Sequence, residues 1–114
     1  MDRDLVCLLD ILGSARAIKS YTNDVSRRAF LQNQQLQDSV IRRIEIMGEA
    51  SGRLSPAFRN SHPDIPWARI RGMRNRMIHA YDDIDMAIVW DTAEQEIPSL
   101  IRQLESLVPP ETES

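Results

Sequence analysis

Apolar residues recur at three-and-four spacing from the start of the chain: Leu5, Leu8, Leu9, Leu12, Ala15 and Ile18. That is the period of a helix with one buried face, and it predicts a first helix over residues 4 to 21. Asn23 and Asp24 break the pattern, and Ser26 is placed to cap a short helical turn covered by Ala29, Phe30 and Leu31. Leu36, Val40, Ile44 and Met47 then form the stripe of a second long helix, from about Asn33 to Arg53. Ser55-Pro56 reads as N-cap and first residue of a short helix that ends before Pro63. Ile65-Pro66-Trp67 opens the next helix, because proline in a first turn forfeits no needed hydrogen bond, and the pattern carries it to about His79. Asp82 and Asp83 make a polar break. Asp85 is placed to cap a last helix over 86 to 107, which Pro98 should kink or divide.

No segment alternates apolar and polar residues over the length of a strand, and no internal repeat or glycine-rich loop is present. The expected fold is all-α, an up-and-down bundle of four long helices plus short connecting helices. A single domain is expected over residues 1–108, with a disordered acidic tail over 109–114 that begins at Pro109-Pro110. Gly48 interrupts the second long helix at a cost of about 1 kcal/mol relative to alanine, and close approach of another helix is the plainest benefit to offset it. Its neighbour Glu49 reads as a solvated or capping acid, with a role in positioning an arginine left open.

Composition narrows the class. The 114 residues suit one domain, and the 42% hydrophobic content supplies a core without any run near the roughly 20 apolar residues of a membrane span. The charged start, Met1-Asp2-Arg3-Asp4, lacks the features of a signal peptide, so export is not expected. Cys7 is the single cysteine; a buried free thiol and a cytoplasmic address follow as expectations. The net charge of −3 does not advertise nucleic-acid binding. Its distribution says more: of 14 basic residues only Lys19 is lysine, and Arg69, Arg71, Arg74 and Arg76 crowd into eight positions. Arginine grips a phosphate through two parallel hydrogen bonds, so the cluster marks a local anion site.

The run Arg71-Gly72-Met73-Arg74-Asn75-Arg76-Met77-Ile78-His79-Ala80-Tyr81 brings a phosphate-binding side chain, an amide, an imidazole and a phenol together. His62, the other histidine, has no carboxylates at ligand spacing, and neither nucleophile motifs nor nucleotide-binding signatures are present; no metal or cofactor is expected. Residues five apart on a regular helix, such as Arg74 and His79, lie about 140° from each other around the axis. For them to converge, the helix must end near His79, or the two must line opposite walls of a cleft. RNA cleavage by the ribose 2′-hydroxyl needs a base, an acid and a cation to stabilise the phosphorane. Histidine, with an ordinary pKa of about 6.5, serves as either base or acid, and arginine supplies the cation. One chain offers one such histidine, and a symmetric dimer would supply the second. Taken alone the spacing is weak, since a histidine at a helix end and solvated arginines are common.

The ordered combination is more specific. Arg74 to Tyr81 resembles the Arg-x4-His-x-Tyr signature of HepT-like HEPN proteins, with a polar residue, Asn75, directly after the arginine. The resemblance takes in Ile46-Met47-Gly48-Glu49-Ala50, Ile65-Pro66-Trp67 and Gly72-Met73, and downstream Ile84-Asp85, Trp90 and Ile97-Pro98. It implies a HEPN-like helical domain that dimerises, and a metal-independent endoribonuclease acting as the toxin of a type VII toxin–antitoxin pair. Arg74 and His79 are then the catalytic pair, with Asn75, Arg71 and Arg76 in support. The implied partners are a second copy of the chain, RNA (tRNA among the candidates) and an MNT-type minimal nucleotidyltransferase antitoxin, which would silence the toxin by transferring AMP to Tyr81. The competing expectation is a non-catalytic helical subunit that docks the nucleotidyltransferase. A purely structural adaptor accounts for neither the arginine cluster nor Tyr81.

Overall fold

Helix starts in this chain are set by short polar side chains that take up the first free N–H groups. Asp2 accepts from Asp4 N–H at the head of α1 (Arg3–Thr22), and Ser26 Oγ accepts from Ala29 N–H at 3.1 Å to start α2 (Arg27–Leu31). Asn33 caps α3 (Gln34–Arg53) through Leu36 N–H at 3.0 Å, and Ser55 caps α4 (Pro56–Ser61) through Phe58 N–H. Asp85 accepts from Ala87 and Ile88 N–H to start α7 (Met86–Asp91). The computed structural model describes residues 2–80 and 83–109, and of His79 and Ala80 the backbone only. Tyr81, Asp82 and the acidic tail from residue 110 lie outside the described residues.

The fold is all-α and HEPN-like, with α1 packed along α3 on one side and against the last helical segment on the other. From α1 the fully buried side chains are Leu8, Ile11, Leu12, Ala15 and Ile18; Leu5 and Leu9 sit only partly under cover, so the buried stripe is turned toward Cys7 and Ile11. α3 contributes Val40, Ile44 and Met47, as its stripe predicts, while Leu36 lies at the margin. Each such side chain contributes about 1.5–3 kcal/mol on leaving water. Phe30 of α2 packs on Trp90 of α7 with ring centroids 5.3 Å apart, tying the first connection to the last helix. Cys7 is buried and unpaired.

Two of the long segments differ from expectation. The third is not one helix to His79. It divides at Gly72 into α5 (Trp67–Arg71) and α6 (Met73–Met77), and it stops two residues before His79. Ile78 turns to extended backbone, and Ile78–Ala80 (β1) pairs antiparallel with Asp83–Ile84 (β2), with Ile78 opposite Ile84 and Ala80 opposite Asp83. Asp85 N–H donates to the Met77 carbonyl at 2.8 Å and closes this ribbon. A ribbon of three and two residues is too short to leave an alternating pattern.

The fourth segment runs from α7 through a π turn (Thr92–Glu96) into α8 (Ile97–Glu105). Pro98 explains the change of register. It has no N–H for the Glu94 carbonyl, and its ring would press on that carbonyl in a regular helix. The chain widens instead, with Ile97 N–H donating to Thr92, five residues back.

Candidate active site

α6 is oriented by its methionines. Met73 and Met77, four apart, are both buried, which turns Arg74, Asn75 and Arg76 away from the core. Arg74 faces α3, where its Nε donates to the Glu45 carboxylate at 2.9 Å. A groove of about 270 Å³ opens between these elements; Arg71, Arg74 and Asn75 line one side, and Glu45, Gly48 and Glu49 the other.

Gly48 is what lets the two sides approach. A Cβ there would stand 3.3 Å from the Arg71 carbonyl oxygen and 3.7 Å from that of Ile70, so the end of α5 rests directly on the α3 backbone. One turn further along α3, a Cβ at Gly52 would meet the Arg71 side chain at Nε (3.6 Å) and Cζ (3.8 Å). The Arg71 guanidinium therefore lies across Gly52, and among the described residues it makes no hydrogen bond or ion pair.

The four-arginine cluster does not stay together. Arg69 and Arg76 share Glu96 instead: Arg69 Nε hydrogen-bonds its carboxylate, and Arg76 Nη2 stands 3.5 Å from it. Arg76 Nη1 also donates to the Arg69 carbonyl at 3.0 Å. The bond to Glu96 raises the Arg69 guanidinium above its ordinary value. Of the expected site residues, then, Arg71, Arg74 and Asn75 meet in one groove and Arg76 does not join them. His79 stands on the backbone of β1, beyond the end of α6, so the helical separation of about 140° from Arg74 does not apply. Tyr81 lies outside the described residues. Glu49 is exposed, as a solvated acid would be.

Glu45 is the site residue that sequence reasoning missed. It precedes Gly48 by three positions on α3 and so shares its face, but its partner is 29 residues away, and nothing local announces the pair. Among the described residues no group of three His, Cys, Asp or Glu side chains stands together as a metal site would require, and no helix is long and apolar enough to cross a membrane.

Comparison with known proteins agrees with this helical frame. The model of the family described as Ribonuclease HepT-like matches residues 11–107. A Thermococcus cleftensis protein named "Probable ribonuclease HepT" is 38% identical over 100 residues, covering 88% of this chain and 91% of its own length. Two Methanocaldococcus jannaschii proteins, each named a "Putative RNase", are 36% identical over 98 residues and 35% over 107. The first alignment covers 86% of this chain and 90% of the relative; the second covers 93% and 92%. No solved structure matches. With nearly the whole chain matched by the family, and relatives of its own size above 30% identity, the chain belongs to the HepT-like ribonuclease family.

Proposed function

We propose that this member of the HepT-like ribonuclease family is a metal-independent endoribonuclease, with Arg74 and His79 acting at a cleft between two copies of the chain. The observation that carries the reading is the groove in which Arg74, Arg71 and Asn75 meet on a chain of this family. In the proposed reaction, His79 of one copy takes the proton of a ribose 2′-hydroxyl, whose oxygen bonds to the adjacent phosphorus. The bond from phosphorus to the 5′-oxygen breaks, and His79 of the second copy protonates the leaving oxygen. The products are a 2′,3′-cyclic phosphate and a 5′-hydroxyl. Histidine suits both roles, because the imidazole ring can act as a base when neutral and as an acid when protonated. Arg74 stabilises the charge on the phosphorane, and Glu45, by engaging Nε, leaves the outer guanidinium N–H groups for phosphate. Asn75 and Arg71 assist in holding the strand.

The same reading makes the chain the cytoplasmic toxin of a type VII pair, with RNA as substrate and tRNA among the candidates. Its antitoxin is a minimal nucleotidyltransferase that transfers AMP from ATP to the Tyr81 hydroxyl: the phenolic oxygen bonds to the α-phosphorus and pyrophosphate leaves. Bulk and negative charge at an arginine-lined mouth oppose RNA entry. A second reading, a non-catalytic subunit that docks the nucleotidyltransferase, draws on one observation, that Glu45 already neutralises Arg74. Growth on expressing the chain without its partner separates the two. Arrest by wild type, lost in folded Arg74→Ala and His79→Ala, is expected of the toxin; a harmless wild type, or arrest that survives both substitutions, selects the docking subunit.

A further inference from the structure

Carboxylates sort the arginines at this end of the molecule. Arg74 is paired with Glu45, and Arg69 and Arg76 with Glu96. Arg59 and Arg71 have no carboxylate within ion-pair distance among the described residues, and both line a groove of about 690 Å³ beside α4 and α5, walled by Ile65, Pro66 and Trp67. Arg59 is held in place: its Nη1 donates to the Ser51 and Leu54 carbonyls, at 3.3 and 3.0 Å, at the end of α3. Those acceptors orient the guanidinium without cancelling its charge. Asp4, the carboxylate that feels Arg59 electrostatically, is itself taken up by the Ser55 N–H and hydroxyl.

Arg71 belongs to both grooves. It lies over Gly52, with Arg74 and Asn75 to one side and Arg59 to the other. Gly48 and Gly52, one helical turn or about 6 Å apart, let the end of α5 and the Arg71 side chain lie close against α3. A chain of net charge −3 does not attract a polyanion as a whole, and two cations left unneutralised along one path can hold it locally.

We infer that single-stranded RNA flanking the cleaved phosphate passes from the Arg74–Asn75 groove past Arg71 into the larger groove, where Arg71 and Arg59 each hold a phosphate. This inference rests on the ribonuclease reading for the identity of the strand. Its test is binding, which needs no catalysis. The probe is a 2′-O-methyl uridine decamer, inert to 2′-hydroxyl attack, titrated into the protein between about 50 and 200 mM salt. For a single strand the logarithmic salt slope falls by about 0.7 for each phosphate that the protein no longer neutralises. Over that fourfold range, the double variant Arg59→Gln/Arg71→Gln should shed about a sevenfold part of the salt-induced loss of affinity that wild type shows. Arg28→Gln, on the exposed surface of α2, should shed none.

A slope unchanged in the double variant, an equal change in Arg28→Gln, or a wild type that does not bind the decamer overturns the proposed path. If Arg59→Gln loosens the end of α3 and unfolds, Arg71→Gln carries the test by itself, because its side chain makes no bond that the described fold uses. Unchanged decamer binding with loss of nucleotidyltransferase capture would assign the groove to a protein partner and overturn the path as well. Cleavage of the all-ribose decamer is followed separately. Wild type that binds with the expected slope but does not cut keeps the path and loses the catalytic reading; wild type that cuts while the slope ignores both arginines does the reverse.

Discussion

Removing Glu45 distinguishes an ion pair that stabilises the fold from one that aims a catalytic arginine. The Glu45 and Arg74 side chains are 31% and 41% exposed at a contact of 2.9 Å, so water screens much of their attraction. Such pairs contribute about 0.2–1 kcal/mol, and in a domain of this size Glu45→Ala should lower Tm by no more than about 4 °C. The effect on rate should be larger. Without its acceptor the Arg74 guanidinium spreads over several rotamers, and removal of a preorganised donor costs about 10²–10³ in rate. We expect kcat/KM for RNA to fall about 10-fold in Glu45→Gln, which keeps one acceptor oxygen, and about 10²-fold in Glu45→Ala. The assay is single-turnover cleavage beside thermal unfolding, with Arg74→Ala and the double variant included. Once Arg74 is gone, Glu45→Ala should cost nothing further, because the two act as one unit. Undiminished cleavage in Glu45→Ala, or losses that simply add in the double variant, would refute this reasoning and leave the pair a surface contact.

Two glycines offer a contrast in stability. Gly13 is exposed in the middle of α1 and a Cβ there meets nothing within 4 Å, so Gly13→Ala should stabilise by about 1 kcal/mol. Gly48→Ala presses on the Arg71 carbonyl, which buried Ile70 and Met73 hold in place, and should forfeit that gain and destabilise by up to about 2 kcal/mol in urea unfolding. Asp4 tests pH linkage. The Ser55 N–H and hydroxyl hold its carboxyl below the usual carboxylate range. A depressed folded value means that its stabilisation is present above the unfolded value of about 3.9 and is lost as pH falls through the folded one. The Tm difference between wild type and Asp4→Asn should therefore be full at neutral pH and close below about pH 4.

What can be read in advance divides by the range of the forces involved. Ser26, Ser55 and Asp85 cap the helices that their positions announce, since a cap acts on an N–H two or three residues away. Gly48 marks a close approach and Pro98 the place where the last helix changes register, because each states a local backbone requirement. The break at Gly72 is not legible, as one glycine is tolerated in many helices and only the packing beside α3 decides. The splitting of the arginine cluster is equally hidden: Glu96 is 27 residues from Arg69, and Glu45 is 29 from Arg74. Arginines adjacent in sequence thus read as one anion site, whereas tertiary neighbours give them different partners, Glu45 for Arg74 and Glu96 for Arg69 and Arg76.

Cleavage of a single-stranded RNA by the purified chain, in the presence of a metal chelator and with the new ends identified, tests the proposed chemistry most directly. Wild type should leave a 2′,3′-cyclic phosphate and a 5′-hydroxyl, and folded Arg74→Ala and His79→Ala should each lose at least about 10²-fold in rate. Cleavage that stops with the chelator, ends bearing a 5′-phosphate, or rates indifferent to both substitutions would contradict catalysis by Arg74 and His79.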